Sequence, residues 1–168
     1  MLKIINDLIP FFQDNYERIN VREYARRVKT TPPTASKLLS EYEKEGLLKK
    51  EIDKIYIYYT ANKDSKEFIL LSRIFYQREL KPITEYIKEE LISPKIILFG
   101  SFSKAEINKN SDIDIAVFSV SGKQLKLDKF EDKLKRKIQL FQYKKESDVK
   151  NEDLLKNIQN GFILEEGL

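Results

Sequence analysis

Two acidic side chains two positions apart, Asp112 and Asp114, are the residues whose types and spacing best suit chemistry. They flank Ile113 at the start of an apolar run that continues to Val117, and this pattern predicts a β-strand. Residues two apart in a strand project from the same face, so the two carboxylates lie side by side while the alternate side chains enter a core. Adjacent carboxylates repel each other unless a cation neutralises them, which favours a divalent metal ion at this point.

A second motif, Gly100-Ser101, ends a short apolar strand predicted over Lys95 to Phe99. Glycine lets backbone N–H groups approach a phosphate closely, and the serine hydroxyl adds a donor. Ten residues separate this pair from Asp112, which is enough for a short helix whose amino terminus faces an anion. Lys104 either places a cation near the phosphates or is a solvated surface lysine. Together the motifs predict a phosphate-binding loop opposite a metal site, the combination that nucleotidyl transfer requires.

The combined string of residues 97–101 followed by 111–117 resembles the minimal nucleotidyltransferases of the DNA polymerase beta superfamily. The resemblance covers roughly residues 94–164. It implies a small mixed sheet with flanking helices, with Asp112 and Asp114 as catalytic residues and metal ligands. It also implies that the glycine–serine pair contacts a nucleoside triphosphate.

The sequence departs from the family pattern where a third carboxylate is expected on a later strand. The matching stretch, residues 138–142, places the neutral amide of Gln139 in that position. An amide cannot act as the base that activates an attacking hydroxyl, and it supplies less negative charge for a second metal ion. Glu146 and Asp148, just beyond the strand, are the candidates to substitute. Ala105 stands where family members often have glycine, which restricts the loop.

The composition limits which metal can bind. The chain has no cysteine and no histidine, which excludes disulfides, thiolate metal sites and the usual general base. Any metal must therefore be bound by oxygen ligands, which points to Mg²⁺ or Mn²⁺. The sequence contains no apolar run that could span a bilayer, and its first fourteen residues have an amphipathic rather than a signal-peptide pattern. We therefore expect a cytoplasmic protein with no membrane partner.

The first sixty residues show the periodicities of three helices followed by a hairpin. Apolar positions recur at helical spacing from Leu2 to Tyr16, and Asn20 and Thr31 are candidate N-caps of the second and third helices. Two strand-like runs then surround Asp53-Lys54, a spacing that suits a tight turn.

Residues 34–48 resemble the recognition helix and wing entry of winged helix-turn-helix proteins. In that family the third helix enters the major groove of DNA, its amino-terminal part reading base edges. Residues 1–63 contain 12 Lys and Arg against 9 Asp and Glu, a weak positive excess, so a protein-binding role also stays open. The residues expected to contact DNA are Thr31, Pro33, Thr34, Ser36, Lys37 and Lys54.

The predicted fold class is α+β. We expect a winged helix-turn-helix domain of three helices and a β-hairpin over 1–63, a helical connector over 64–93, and a nucleotidyltransferase-type mixed β-sheet with flanking helices over 94–168. The segment Phe68 to Tyr76 is apolar nearly all round, which predicts burial from both sides and a homodimer. Pro82 is expected to break or kink the connector.

Three functions fit these features. The first is an enzyme that transfers a nucleotide from a triphosphate to an acceptor. The second is a transcriptional regulator that binds DNA, has lost turnover with the third carboxylate, and still binds a nucleotide. The third is an antitoxin-like protein that binds a small helical, toxin-like partner. The environment of Gln139 discriminates the first function from the second, because an acid within metal distance of Asp112 and Asp114 favours the enzyme.

Overall fold

A computed structural model describes residues 3–167, which form a mixed α and β fold with eight α-helices and two sheets among those residues. The chain divides into two compact units. The first contains the residues up to Phe75 together with Ala105–Lys109, and the second contains Tyr76–Lys104 and the residues from Asn110 onward. The division therefore falls inside the segment expected to be a connector. No helix in the described part of the chain combines the length and the apolar character needed to cross a membrane.

The first unit contains helices and a small antiparallel sheet in the order β1-β3-β2, and a fourth helix begins in it. Its elements are α1 (Lys3–Gln13), β1 (Ile19–Asn20), α2 (Val21–Arg27), α3 (Pro32–Lys44), β2 (Leu48–Asp53), β3 (Tyr56–Ala61) and α4 (Lys66–Glu79). The predicted order of three helices and a hairpin is found, and Leu2, the first position of the predicted periodicity, lies outside the described residues. The two-residue strand β1 was not predicted, because its pairing with β3 joins distant parts of the chain.

Side-chain caps begin the second and third helices of this unit. The Asn20 side chain accepts a hydrogen bond from the Glu23 amide, and Thr31 accepts one from the Thr34 amide at the start of α3. Both predicted N-caps are confirmed, and each satisfies an amide that the first helical turn leaves without a partner.

The hairpin turn lies one residue later than predicted. Asp53 pairs with Tyr56 in the β2–β3 register, so the two turn residues are Lys54 and Ile55 rather than Asp53 and Lys54. Lys54 adopts a φ of 56°, in the left-handed region that tight hairpin turns require. The alternation of side chains along these strands does not reveal which residue takes that conformation.

Aromatic side chains of α1 form much of the core of the first unit. Phe11 and Phe12 are fully buried; the Phe11 ring lies 5.9 Å from Tyr24, and the Phe12 ring lies 5.2 Å from Phe68 and 5.5 Å from Phe75. Burial of aromatic rings in tilted or offset contacts contributes strongly to stability.

A single chain buries only one side of the segment from Phe68 to Tyr76, so burial from both sides stays a prediction that needs a second chain. Phe68, Phe75 and Tyr76 are buried, but Leu70 is 56% exposed and Ile74 is 38% exposed. One side of α4 therefore packs into a core. Leu70 and Ile74, which we call the exposed stripe of α4, remain at the surface, since no described element of the same chain covers them.

The second unit contains a four-stranded sheet in the order β6-β5-β4-β7. Strands β5 and β6 are parallel to each other, and β4 is antiparallel to both β5 and β7. The elements are α5 (Lys81–Glu90), β4 (Lys95–Phe99), α6 (Ser101–Lys104), β5 (Ile113–Phe118), α7 (Asp128–Leu134), β6 (Ile138–Tyr143), α8 (Glu152–Gln159) and β7 (Phe162–Glu165).

The predicted break of the helical stretch at Pro82 is confirmed, and one strand of this unit was not predicted. The break falls at Leu80, and Pro82 lies in the first turn of α5, a position that tolerates proline because its missing N–H has no helical partner. Strand β7 follows Gly161 directly and was not predicted. It is four residues long, too short for its alternation to stand out from a loop.

Side chains of the central strand β5 enter a core on each face of the sheet, and this burial fixes the face on which its acidic residues lie. Ile113, Ile115 and Val117 are buried on one face, as predicted. On the other face Ala116 and Phe118 enter a second core, whose other members are Ile97, Phe99, Val149 and Ile158. Because side chains alternate along a strand, the acidic residues lie on this second face, where the core ends.

Candidate functional site

The two acidic residues lie where three strands meet. Asp114 is in β5, opposite Phe99 of β4 in the antiparallel register and opposite Gln139 of β6 in the parallel register. Asp112 precedes β5 and projects from the same face as Asp114. Since Gly100 follows Phe99 directly, the sheet brings together the two motifs that the sequence separates by ten residues.

Burial and a neighbouring charge both act on the Asp114 carboxyl group. Its side chain is partly buried. This burial, and secondarily the charge of Asp112, raise the pKa of Asp114 above its ordinary value. Both causes penalise the ionised carboxylate, and a bound divalent cation relieves both.

Gly100 is required by the position of the Asp114 carboxylate. Its φ is 66°, in the left-handed region, and a Cβ added there would lie 2.1 Å from Asp114 Oδ2 and 3.0 Å from Asp114 Cγ. A side chain at this position would therefore collide with the carboxylate and strain the backbone. The glycine lets the loop that follows β4 lie directly against the acidic pair.

The loop after Gly100 is held by a residue that the sequence analysis missed. The buried Ser103 hydroxyl donates a hydrogen bond to the Gly100 carbonyl oxygen at 2.9 Å, which fixes the turn into the single-turn helix α6. The signal for it is a serine three positions after the glycine, a spacing that lets a hydroxyl reach back to a carbonyl. Ala105 ends this segment with a φ of 54°, a conformation that glycine adopts without strain.

The predicted nucleotide-binding side chains, Ser101 and Lys104, lie on α6. Ser101 is partly buried at the first position of the turn, directly after Gly100. Lys104 is exposed, and its Nζ lies 3.3 Å from the Asn157 side-chain oxygen of α8. The fold therefore places Ser101 beside the acidic pair, while Lys104 contacts a neutral amide and not a carboxylate.

The position expected for a third carboxylate is occupied by Gln139. Its Nε2 donates a hydrogen bond to Asp112 Oδ2 at 2.8 Å. Among residues 3–167, no group of three or more Asp, Glu, His or Cys side chains is placed to hold a metal ion. The acidic pair therefore has an amide donor as its neighbour where the family pattern has an acid.

Glu146 and Asp148 do not substitute for the missing acid. Glu146 accepts hydrogen bonds from Lys95 at 3.0 Å and Gln159 at 3.1 Å. Lys95 is opposite Phe118, four residues along β5 from Asp114, a separation of about 13 Å at the usual rise of a strand. Asp148 accepts from the Lys145 amide at the same far end of the sheet. The expectation that either residue replaces the third acid is wrong.

Arg136 is a second residue that the sequence analysis missed. Its Nη1 donates to the Ser111 carbonyl oxygen at 2.8 Å, and its guanidinium lies 5.3 Å from the centre of the Phe102 ring. The side chain thus joins the segment before Asp112 to helix α6. Arg136 stands among several lysines, so its sequence context did not distinguish it from solvated basic residues.

The family pattern of nucleotidyltransferase domains matches residues 80–164, from the end of α4 to the last strand. This match covers half of the chain and includes every residue of the site. The chain belongs to the nucleotidyltransferase domain family. No curated protein and no solved structure matches the chain.

The nucleotidyltransferase site fits one divalent cation better than two. Asp112 and Asp114 offer carboxylate oxygens on one face, which are the ligands that Mg²⁺ prefers. Two-metal catalysis needs further anionic ligands to hold a second ion, and Gln139 provides an amide instead.

Proposed function

We propose that this nucleotidyltransferase-family protein binds a magnesium–nucleoside triphosphate and that the bound nucleotide regulates DNA binding. The observation that supports the proposal is the close approach of Gly100 to the Asp114 carboxylate, which leaves no room for a Cβ at residue 100. A phosphate held by the loop after β4 would therefore lie next to the acidic pair. Asp112 and Asp114 hold one Mg²⁺ ion, or Mn²⁺ in its place. The Gly100 backbone and the Ser101 hydroxyl contact the phosphates, and Lys104 is the candidate for a further positive charge near them.

The bound ion would neutralise phosphate charge and join the triphosphate to the two carboxylates. The chain's own residues perform the remaining tasks. The Asp pair accepts the cation, the Gly100 turn admits phosphate oxygens at close range, and Ser103 keeps that turn in place. Gln139 holds the Asp112 carboxylate in position through its amide hydrogen bond.

Features of the first unit support a winged helix-turn-helix that binds DNA. Helix α3 begins at a Thr31 cap, and its first turns present exposed polar side chains while Ala35 and Leu39 are buried. The hairpin carries acids, but Arg18 pairs with Glu51 at 3.0 Å and reduces their charge. The predicted contact residues are all exposed: Thr31, Pro33, Thr34, Ser36, Lys37 and Lys54.

A charge reversal on α3 tests the DNA-binding part of the proposal. We expect Lys37→Glu to weaken binding of a fluorescein-labelled DNA duplex at least about tenfold, because the amino-terminal part of a recognition helix contacts DNA. Lys44→Glu, the same charge change in the last turn of α3, is the matched control and should weaken binding less than about threefold. Equal losses in the two variants would contradict a recognition role for α3.

The nucleotide-dependent part is tested by the same anisotropy measurement with and without Mg²⁺–ATP. We expect DNA affinity to change when Mg²⁺–ATP is added to the wild type. It should stay constant in Asp112→Asn/Asp114→Asn, whose neutral side chains no longer hold the cation. If no triphosphate changes the DNA affinity of the wild type, the proposal that a nucleotide regulates DNA binding is contradicted.

Nucleotidyl transfer is the second candidate, and the shared face of Asp112 and Asp114 favours it. Transfer breaks the bond between the α- and β-phosphates and passes the nucleotidyl group to an acceptor hydroxyl, so pyrophosphate is released whatever the acceptor. A pyrophosphate assay with Mg²⁺–ATP, a panel of nucleic-acid and small-molecule hydroxyl acceptors and the wild-type protein tests it. Sustained release that Asp112→Asn/Asp114→Asn abolishes would establish the enzyme. The amide at Gln139 leads us to rank this function below regulation.

The exposed stripe of α4 supports the proposal of a homodimer. Leu70 and Ile74 are large apolar side chains at helical spacing that remain exposed in the single chain. A second copy of the chain that covers this stripe would complete the burial expected for α4. Light scattering should give twice the chain mass of 19.9 kDa, and Leu70→Glu/Ile74→Glu should reduce it to one chain. The toxin-like protein partner stays a prediction, for which co-purification is the test.

A further inference from the structure

The positive charge of this protein is concentrated in one segment of the second unit. Residues 123–150 contain ten Lys and Arg against five Asp and Glu, whereas the rest of the chain contains 21 against 22. The whole excess of charge therefore lies around α7 and β6. A basic surface of this kind attracts polyanions, and its local field exceeds what the net charge of +4 suggests.

Three lysines of this segment surround the end of α7 next to the nucleotide site. Lys133, Lys135 and Lys137 are exposed, and none forms an ion pair with another residue in the described part of the chain. We call these three residues the α7 lysine cluster. Residues 132–137 contain four basic side chains and one acidic side chain, Asp132.

One member of the α7 lysine cluster, Lys137, adjoins the acidic pair through a backbone contact. The Lys137 carbonyl oxygen accepts from the Ile113 amide at 2.9 Å, and Ile113 lies between the two aspartates. Two residues further along the chain, Gln139 contacts Asp112. A ligand that contacts Lys137 is therefore next to a triphosphate bound at the acidic pair.

We propose that the α7 lysine cluster is a second DNA-contacting surface that binds the phosphate backbone, and that a bound nucleotide weakens this contact. The inference rests on the proposed function, because it assigns the partner as the DNA that α3 binds. Charge complementarity supports this partner, since exposed lysines without acidic partners suit phosphates and carry no base specificity.

The sign of the nucleotide effect follows from charge. A magnesium–triphosphate carries net negative charge, and at the acidic pair it lies beside the cluster that attracts the DNA backbone. It repels the backbone and compensates part of the lysine charge, so Mg²⁺–ATP lowers DNA affinity.

The test measures binding of a labelled duplex of about two helical turns, roughly 20 base pairs, by anisotropy over about 50 to 200 mM salt without nucleotide. The variant Lys133→Gln/Lys135→Gln/Lys137→Gln removes the cluster. The matched control Lys144→Gln/Lys145→Gln/Lys150→Gln removes three other exposed lysines beyond the opposite end of β6, with the same change in net charge. Thermal melts of each variant establish that it is folded.

We expect the cluster variant to bind DNA at least about tenfold more weakly, with a salt slope reduced by about 2 to 3, since each lost phosphate contact removes about 0.9. The control should change affinity less than about threefold. Added Mg²⁺–ATP should weaken DNA binding by the wild type and have little effect on the cluster variant.

Equal losses in the two triple variants, or none in either, would overturn the inference, because the attraction would then be general rather than local. The Lys37→Glu variant separates this failure from that of the proposed function. If Lys37→Glu alone abolishes DNA binding, the DNA-binding proposal stands without the cluster. If the wild type binds no duplex, both fall.

Discussion

Gly100→Ala is expected to raise the Kd for Mg²⁺–ATP by more than about 100-fold and to lower the free energy of unfolding by roughly 2 to 3 kcal/mol. The new Cβ would lie 2.1 Å from Asp114 Oδ2, so either the carboxylate or the loop after β4 must move. The backbone would also keep a φ of 66°, which costs a non-glycine residue about 1 to 2 kcal/mol. Both changes separate the phosphate-binding loop from the acidic pair.

Gly122→Ala is the matched control for this experiment. Gly122 is in the same unit and an added Cβ there meets no atom within 4 Å. Calorimetric titration gives the affinity, and urea denaturation gives the free energy of unfolding for both variants. A Gly100→Ala protein that binds Mg²⁺–ATP like the wild type would show that the glycine does not shape a nucleotide site.

The second large effect is expected from Gln139→Glu, which places a carboxylate where the family has its third acid. The substitution replaces an amide whose nitrogen lies 2.8 Å from Asp112 Oδ2 and so brings a third negative charge to the pair. In EDTA we expect a loss of about 1 to 3 kcal/mol of stability from like-charge repulsion and the lost hydrogen bond. Mg²⁺ should restore this stability, and pyrophosphate release from ATP should rise by roughly 100-fold over the wild type.

Gln142→Glu controls for adding an acid to β6. Gln142 is exposed on the same strand and donates to the Lys123 carbonyl oxygen, away from the acidic pair. Its stability should not depend on Mg²⁺. If wild type and Gln139→Glu both release pyrophosphate, at the same measurable rate, Gln139 is not what limits transfer, and nucleotidyl transfer becomes the first candidate function.

Local patterns in the sequence predicted much of the fold. The N-caps Asn20 and Thr31 and the apolar periodicity of α3 depend on neighbouring residues only, so they could be recognised without the structure. Features that depend on distant pairing could not. The strand β1 exists because Ile19 pairs with Tyr59, and nothing within two residues of Ile19 indicates it.

The residues of the site also fall into those that local sequence predicts and those that depend on distant pairing. The positions of Gly100, Asp112 and Asp114 followed from strand alternation and residue type. The Gln139–Asp112 hydrogen bond depends on the β5–β6 register, which a strand pattern leaves open. The role of Arg136 depends on its side chain, rather than that of a neighbouring lysine, reaching the Ser111 carbonyl oxygen. Tertiary packing decides this, and the sequence does not show it.

The most direct test of nucleotide binding is calorimetric titration of ATP into the protein with Mg²⁺, in EDTA, and with Asp112→Asn/Asp114→Asn. We predict saturable binding by the wild type in Mg²⁺ with a Kd between about 1 μM and 1 mM, and no measurable binding in EDTA or by the double variant. Repeating the titration with the other triphosphates establishes the preferred base. Binding that is independent of Mg²⁺ and of both aspartates, or no binding of any triphosphate, would contradict the assignment of this acidic pair as a metal–nucleotide site.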